Sequence, residues 1–142
     1  MSATRSRQEE KNYKHYLKNL DPALCVFCKP EGEKLLQKEK YFKVIRNLFA
    51  YSIWDGQHVD DHLLIVPIKH IDSVAHFTDK MIVEYHKLLS QYEQKGYNTY
   101  ARAPQSKIKS IPHQHTHLIK TSGDSKKLIF LLRKPYYLRV AA

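Results

Sequence analysis

The segment SIPHQHTHLIK, residues 110–120, sets His113, His115 and His117 at every second position. A strand projects residues i, i+2 and i+4 from one face, whereas a helix would scatter them. The spacing therefore predicts a strand that carries three imidazoles in a row. The intervening Gln114 and Thr116 are not clear hydrophobes, but the run continues into Leu118 and Ile119, and threonine suits a strand. Pro112 can start a strand and would not sit in its centre. Three readings fit such an array: a metal site, a nucleophilic histidine with supporting rings, or histidines on an exposed strand face.

Working outward, DHLLIVPI (61–68) is a mostly continuous apolar run, the pattern of a strand buried on both faces. EKYFKVIRNLFAYSIW (39–54) is rich in β-branched and aromatic residues and predicts two strands. After Thr78, a candidate N-cap, the residues Met81, Ile82, Tyr85, Leu88, Leu89 and Tyr92 form a helical stripe that ends at Gly96. YNTYARA (97–103) reads as a strand followed by a polar loop. Near the N-terminus, Tyr13, Tyr16, Leu17 and Leu20 recur at helical spacing, predicting a helix over about 5–20 that stops at Asp21-Pro22. KKLIFLLRKPYYLRV (126–140) reads as one strand interrupted at Pro135, or as a strand and an extended tail. No repeat, low-complexity tract or linker divides the chain. The expectation is a single α+β domain over 1–142, with an antiparallel sheet, one long helix, an N-terminal helix and a basic C-terminal extension from about residue 121.

At 142 residues the chain is long enough for a core without disulfide staples. Hydrophobic residues at 42% and charged residues at 27% are those of a soluble globular protein. No run of 18 apolar residues predicts a membrane span, and the N-terminus lacks the apolar stretch of a signal peptide, so a cytoplasmic location is expected. The two cysteines, Cys25 and Cys28, sit in CVFC; in a reducing compartment that suggests metal or redox chemistry before a disulfide. The net charge of +10 is lopsided: residues 1–94 carry 14 basic and 13 acidic side chains, residues 95–142 carry 10 basic and one acidic, Asp124. Such asymmetry points to an anionic ligand, nucleotide or nucleic acid, or to a solvated basic face.

Taken together, these segments resemble the histidine triad (HIT) superfamily of nucleotidyl hydrolases and transferases. That family has His-x-His-x-His followed by two apolar residues, here His113-Gln114-His115-Thr116-His117-Leu118-Ile119. An earlier family strand, GHxLVIPKxHI, is matched by DHLLIVPIKHI with His62 and His70. A serine three residues before the triad is matched by Ser110, and the CxFC of a zinc-bearing branch by CVFC. The elements agree in order and distance over roughly residues 23–120. The resemblance implies a HIT-like fold, a homodimer and attack by His115 on the α-phosphorus of a nucleoside phosphate derivative. It implies that His117 contacts phosphate oxygens within a network including His62, and that Ser110 lies near the leaving group. It also implies structural zinc on Cys25, Cys28, His70 and His113. A third histidine, rather than the glutamine of the uridylyltransferase branch, leans towards hydrolysis.

The chain also departs from that pattern. In place of the family's glycine-rich loop stands ARAPQSKIKS (101–110), with Arg102 at the position of a family asparagine and Lys107 and Lys109 inside the loop. These positive charges are expected to meet a polyphosphate or another anion of the nucleotide. Trp54 stands where the family places a ribose-binding Asp or Asn, and a one-residue shift would give that role to Asp55 next to it. Trp54, Phe49 or Tyr51 can stack on a base. The expected function is therefore nucleotide hydrolysis. Its rivals are nucleotidyl transfer to another acceptor, and a basic nucleotide- or nucleic-acid-binding module. A cupin-like metal site is disfavoured because no Asp or Glu lies between Glu93 and Asp124.

Overall fold

A computed structural model describes residues 4–21, 24–29 and 34–123. The predicted strand over 126–140 and the basic extension beyond Gly123 lie outside the described residues. Five strands form the main antiparallel sheet, with β1 (Leu35–Lys38), β2 (Phe42–Arg46), β4 (Gln57–Pro67), β6 (Thr116–Thr121) and β5 (Asn98–Ala101) side by side in that order. A two-residue strand β3 (Ile53–Trp54) folds back on the start of β4. Helix α1 (Arg7–Lys18) precedes the sheet, and helix α2 (Asp79–Glu93) connects β4 to β5. The fold is α+β, and among the described residues no helix is long and apolar enough to cross a membrane.

Strand β4 is central and covered on both sides, which is why its apolar run does not alternate. Leu63 and Ile65 join Phe42, Val44, Leu118 and the α2 residues Met81, Leu88 and Tyr92 on one face. Leu64 and Val66 pack with Ile45 and Phe27 on the other. Two clusters on opposite faces, drawn from alternate residues of one strand, follow from the period of two. In α2 the face that meets the sheet is narrower than the sequence pattern suggests. Ile82 is 51% exposed, because it lies about 100° round the helix from Met81. Thr78 precedes α2 in extended conformation without a side-chain capping bond, and Gly96 ends the segment at a φ of +83°.

Helix α1 begins at a capping box, with the Ser6 hydroxyl accepting from Glu9 N–H and the Glu9 carboxylate accepting from Ser6 N–H. Its aromatic stripe does not enter the main core. Tyr13 and Tyr16 lie against Phe49, with ring centroids 5.2 and 4.7 Å away. The Ser52 hydroxyl donates to Glu9 and the backbone amide of Ser52 to the Thr4 carbonyl, so α1 is fastened to the segment between β2 and β3. That segment is closed by Asp55-Gly56, whose positive φ values of 50° and 79° suit a two-residue hairpin turn between β3 and β4. Strands β2 and β3 are the two expected within 39–54, whereas edge strand β1 and the start of β4 at Gln57, ahead of the expected 61–68, were not anticipated.

The histidine segment differs from expectation in one respect. The strand starts at Thr116, so only His117 belongs to the ladder; His113 and His115 precede it. Pro112 has no N–H to donate, and the Gln114 amide donates to Ile71 O at 2.6 Å rather than to a neighbouring strand. Pairing with β4 accordingly stops at Ile65↔Thr116.

Phe42 is fully buried against Phe77 and Tyr85. Phe42→Ala should cost about 3–5 kcal/mol, and Ile82→Ala under about 1 kcal/mol, in urea unfolding. Equal losses would contradict this assignment of the core.

Candidate functional site

Register brings two of the histidines together. Leu64 pairs with His117 across β4 and β6, which puts His117 on the same sheet face as His62, two residues from Leu64. The Tyr51 amide donates to His62 Nδ1 at 2.9 Å, so the proton of the neutral His62 ring resides on Nε2. That Nε2–H donates to His117 Nδ1, also at 2.9 Å, leaving His117 with its own proton on Nε2. Asn47 lies beside this pair, its amide nitrogen 3.2 and 3.4 Å from the two ring nitrogens of His62. Burial, reinforced by the positive charge of Arg5, holds His62 down to about 3. His117 is pushed well below its ordinary value, chiefly by burial and then by its histidine neighbours.

His115 has the opposite tautomer. Its Nδ1–H donates to the His113 carbonyl at 2.8 Å, so the lone pair is on Nε2. Burial lowers its basicity, and Lys109 and Arg102 lower it further, so the ring is neutral at pH 7. The His115 and His117 rings are 5.1 Å apart, close to perpendicular.

Both rings line a cleft of about 260 Å³. Its apolar lining includes Val26, Phe27, Ile45, Leu64 and Ile111, and its rim carries Arg5, Lys29, Lys34, Arg46, Arg102 and Lys109. No Asp or Glu lines it among the described residues. Ser110 is in the lining, its hydroxyl hydrogen-bonded to that of Tyr13 from α1. Lys109 is held in place, donating to Asp72 O and to Gln114 Oε1, each at 3.0 Å. Arg102 lies over the Tyr100 ring. Of the other residues singled out from the sequence, Phe49 and Tyr51 line the cleft, whereas Lys107, Trp54 and Asp55 do not. Lys107 is exposed on its loop. Asp55 sits in the hairpin turn, and Trp54 stacks on Tyr51 at 5.7 Å.

Asn47, Tyr13 and Arg5 are cleft residues that the sequence reading missed. Asn47 directly follows β2, where the apolar run FKVI gives way to polar residues; counting back from His62 stops short of it because the β3 hairpin intervenes. For Tyr13 and Arg5 the sequence carries no signal, since helical periodicity marks a face and not what the face meets.

His113 points elsewhere. Cys25 Sγ and Cys28 Sγ lie 3.4 and 3.6 Å from its Nδ1, and Cys28 Sγ lies 3.4 Å from His70 Nδ1. All four donor atoms fall within 4.8 Å of one another. The His113 Nε2–H donates to Pro67 O at 3.0 Å, which leaves the Nδ1 lone pair facing the thiols. Sulfur and nitrogen ligands on a tetrahedral zinc-sized ion would be about 3.5 Å apart, so the cluster fits a metal ion. The buried Lys43 ammonium donates to Phe27 O at 2.6 Å, anchoring the turn that carries both cysteines.

No protein-family model matches the chain, and no curated protein matches it in sequence. Solved structures do resemble it in fold. A HIT family hydrolase from Clostridium thermocellum superposes with a TM-score of 0.55 at 18% identity, over 77% of this chain and 100% of the other. A Zn-bound histidine triad family protein from Mycobacterium smegmatis gives 0.53 at 16% identity, over 72% and 79%. A member of the HIT family from Bacillus subtilis gives 0.53 at 20% identity, over 78% and 84%.

The tautomers are open to a direct check. Long-range ¹H–¹⁵N spectra at pH 7 should show His62 and His117 protonated on Nε2, and His115 on Nδ1. His115 protonated on Nε2 would remove the lone pair from the cleft and contradict the arrangement.

Proposed function

We propose that this chain, which has the histidine triad fold, is a nucleotide hydrolase acting at the α-phosphorus of nucleoside phosphate derivatives. The observation that supports this best is the pairing of opposite tautomers. The Nε2 lone pair of His115 and the Nε2–H of His117 belong to neighbouring rings in one cationic cleft. A nucleophile and a donor for a charged oxygen are what displacement at phosphorus requires.

In this reading His115 Nε2 forms a bond to phosphorus as the bond to the leaving group breaks. The ring becomes cationic, and the His113 carbonyl already holding Nδ1–H stabilises that charge. His117 Nε2–H donates to a non-bridging oxygen, held in orientation by His62, which is itself fixed by the Tyr51 amide. Ser110 donates a proton to the departing group and regains one from the Tyr13 hydroxyl or solvent. Water then attacks phosphorus and gives up a proton to Ser110 or to solvent, while the P–N bond breaks and its electron pair returns to His115 Nε2. Arg102 and Lys109 offset phosphate charge. Asn47, rather than Trp54 or Asp55, takes the ribose hydroxyls. A homodimer belongs to the same reading and rests on the family resemblance alone.

The metal of the Cys25, Cys28, His70 and His113 cluster is zinc in this reading. Bound there it would tie the N-terminal loop to the segment carrying His115, adding its binding free energy to folding.

His115→Ala should lower turnover by on the order of 10³-fold or more and abolish the covalent nucleotidyl adduct seen by mass spectrometry. Near-normal turnover in that variant would refute the mechanism. An adduct that forms but is released only to an acceptor other than water would make the chain a transferase.

Protein purified without added metal should contain close to one zinc per chain, and chelation should lower its melting temperature. Metal-free protein with an unchanged melting temperature would mean that the two thiols merely pack.

A further inference from the structure

Arg5 lies two residues before α1, in a segment fixed by the bonds from Ser52 N and Ile53 N to Thr4 O. Its guanidinium lies between two rings, 4.3 Å from the Tyr13 centroid and 4.8 Å from that of Tyr51. One Nη donates to Phe49 O at 2.9 Å. The side chain is only 10% exposed, yet its Nε–H has no acceptor among the described residues. Of the acidic groups near it, Glu10 is 3.9 Å away and outside hydrogen-bond range, with its Oε2 without a hydrogen bond among the described residues. Glu9, which also feels the Arg5 charge, is bonded to Ser6 N and the Ser52 hydroxyl instead. A buried guanidinium with an unsatisfied donor is unfavourable unless something completes it. The planar fork of arginine matches the oxygens of a phosphate.

Its location in the cleft narrows the role. Lys109 acts electrostatically on His115 and Arg102 on both His115 and His117, whereas Arg5 acts on His62 and His117 and approaches from the α1 side, between Tyr13 and Phe49 O. One phosphate held by His115 and His117 would be offset by Arg102 and Lys109, leaving Arg5 without a counter-charge from the ligand. We infer that Arg5 recognises a second phosphate group on the nucleotide, distinct from the one that His115 attacks. This rests on the nucleotide reading of the cleft and adds the substrate class: nucleotides with two phosphate groups. The second group is borne either on the sugar or further along the 5′ chain. Its chemistry at Arg5 is the same in both.

The test is calorimetric binding of adenosine 5′-monophosphate, adenosine 5′-diphosphate and adenosine 3′,5′-bisphosphate to the full chain, to Arg5→Gln and to Arg5→Lys. In the parent, one of the two-phosphate ligands should bind about 10-fold or more tightly than the monophosphate, and which one does so locates the second group. That ratio should fall to about 2-fold in Arg5→Gln and lie between in Arg5→Lys, which keeps the charge but loses the fork. Absence of the ratio in the parent, or an equal ratio in all three proteins, would overturn the inference and leave Arg5 as a clasp between α1 and Phe49. Melting curves show which variants are folded, and if Arg5→Gln is not, the ratio in Arg5→Lys decides. Binding is read without turnover, so a parent that keeps the ratio but forms no adduct retains the second-phosphate site and loses the hydrolase.

Discussion

Sliding β6 by one residue against β4 would turn His117 towards α2 and bring Thr116 or Leu118 to His62. The register Leu64↔His117 is thus the constraint on which the site depends. It is secured from the α2 side, where Leu118 is fully buried in the core and the Tyr85 hydroxyl meets Thr116 Oγ1 at 2.7 Å. The core on one face of the sheet thereby sets the chemistry of the other. The same register lets the Tyr51 amide, through His62, determine which nitrogen of His117 carries the proton.

The approach to β6 links the cleft to the thiol–imidazole cluster. Phe27, from the turn between the two cysteines, contacts His113 with a centroid separation of 5.9 Å and His115 with one of 5.1 Å. The His113 carbonyl accepts from His115 while the His113 ring faces the thiols. A displacement of the cysteine turn would therefore reach the candidate nucleophile through two routes, ring packing and a hydrogen bond. Close-packed interiors transmit such shifts rather than absorb them.

Most of the sheet, α2 and the central positions of the site were legible in the sequence, because patterns of period 2 and 3.6 report burial directly. The four candidate metal ligands and the set His62, Ser110, His115 and His117 were found from spacing and family resemblance, and the structure brings each set together. Three features were beyond that reading. The strand's start at Thr116 depends on Pro67 and Ile71 taking bonds from His113 and Gln114, partners remote in sequence. Asn47 was passed over because an offset counted along the chain does not register the β3 hairpin between it and His62. Arg5 and Tyr13 reach the cleft through packing of α1 on Phe49, and amphipathicity does not name the surface a helix will meet.

Sequence separation within the site has a consequence for biosynthesis. Tyr13 and Ser110 are 97 residues apart, Cys25 and His113 are 88 apart, and His62 and His117 are 55 apart. Each of these contacts needs a residue at position 110 or later. A chain emerging from the ribosome therefore carries paired thiols and an uncovered β4 long before their partners exist. During that interval β4 has one long neighbour, β2, and an open edge of Leu, Ile and Val, the kind of surface that recruits other strands. Arrival of 113–121 closes that edge, shelters the thiols and completes the cleft in one event. For the nascent chain, acquiring chemistry and escaping aggregation are the same step.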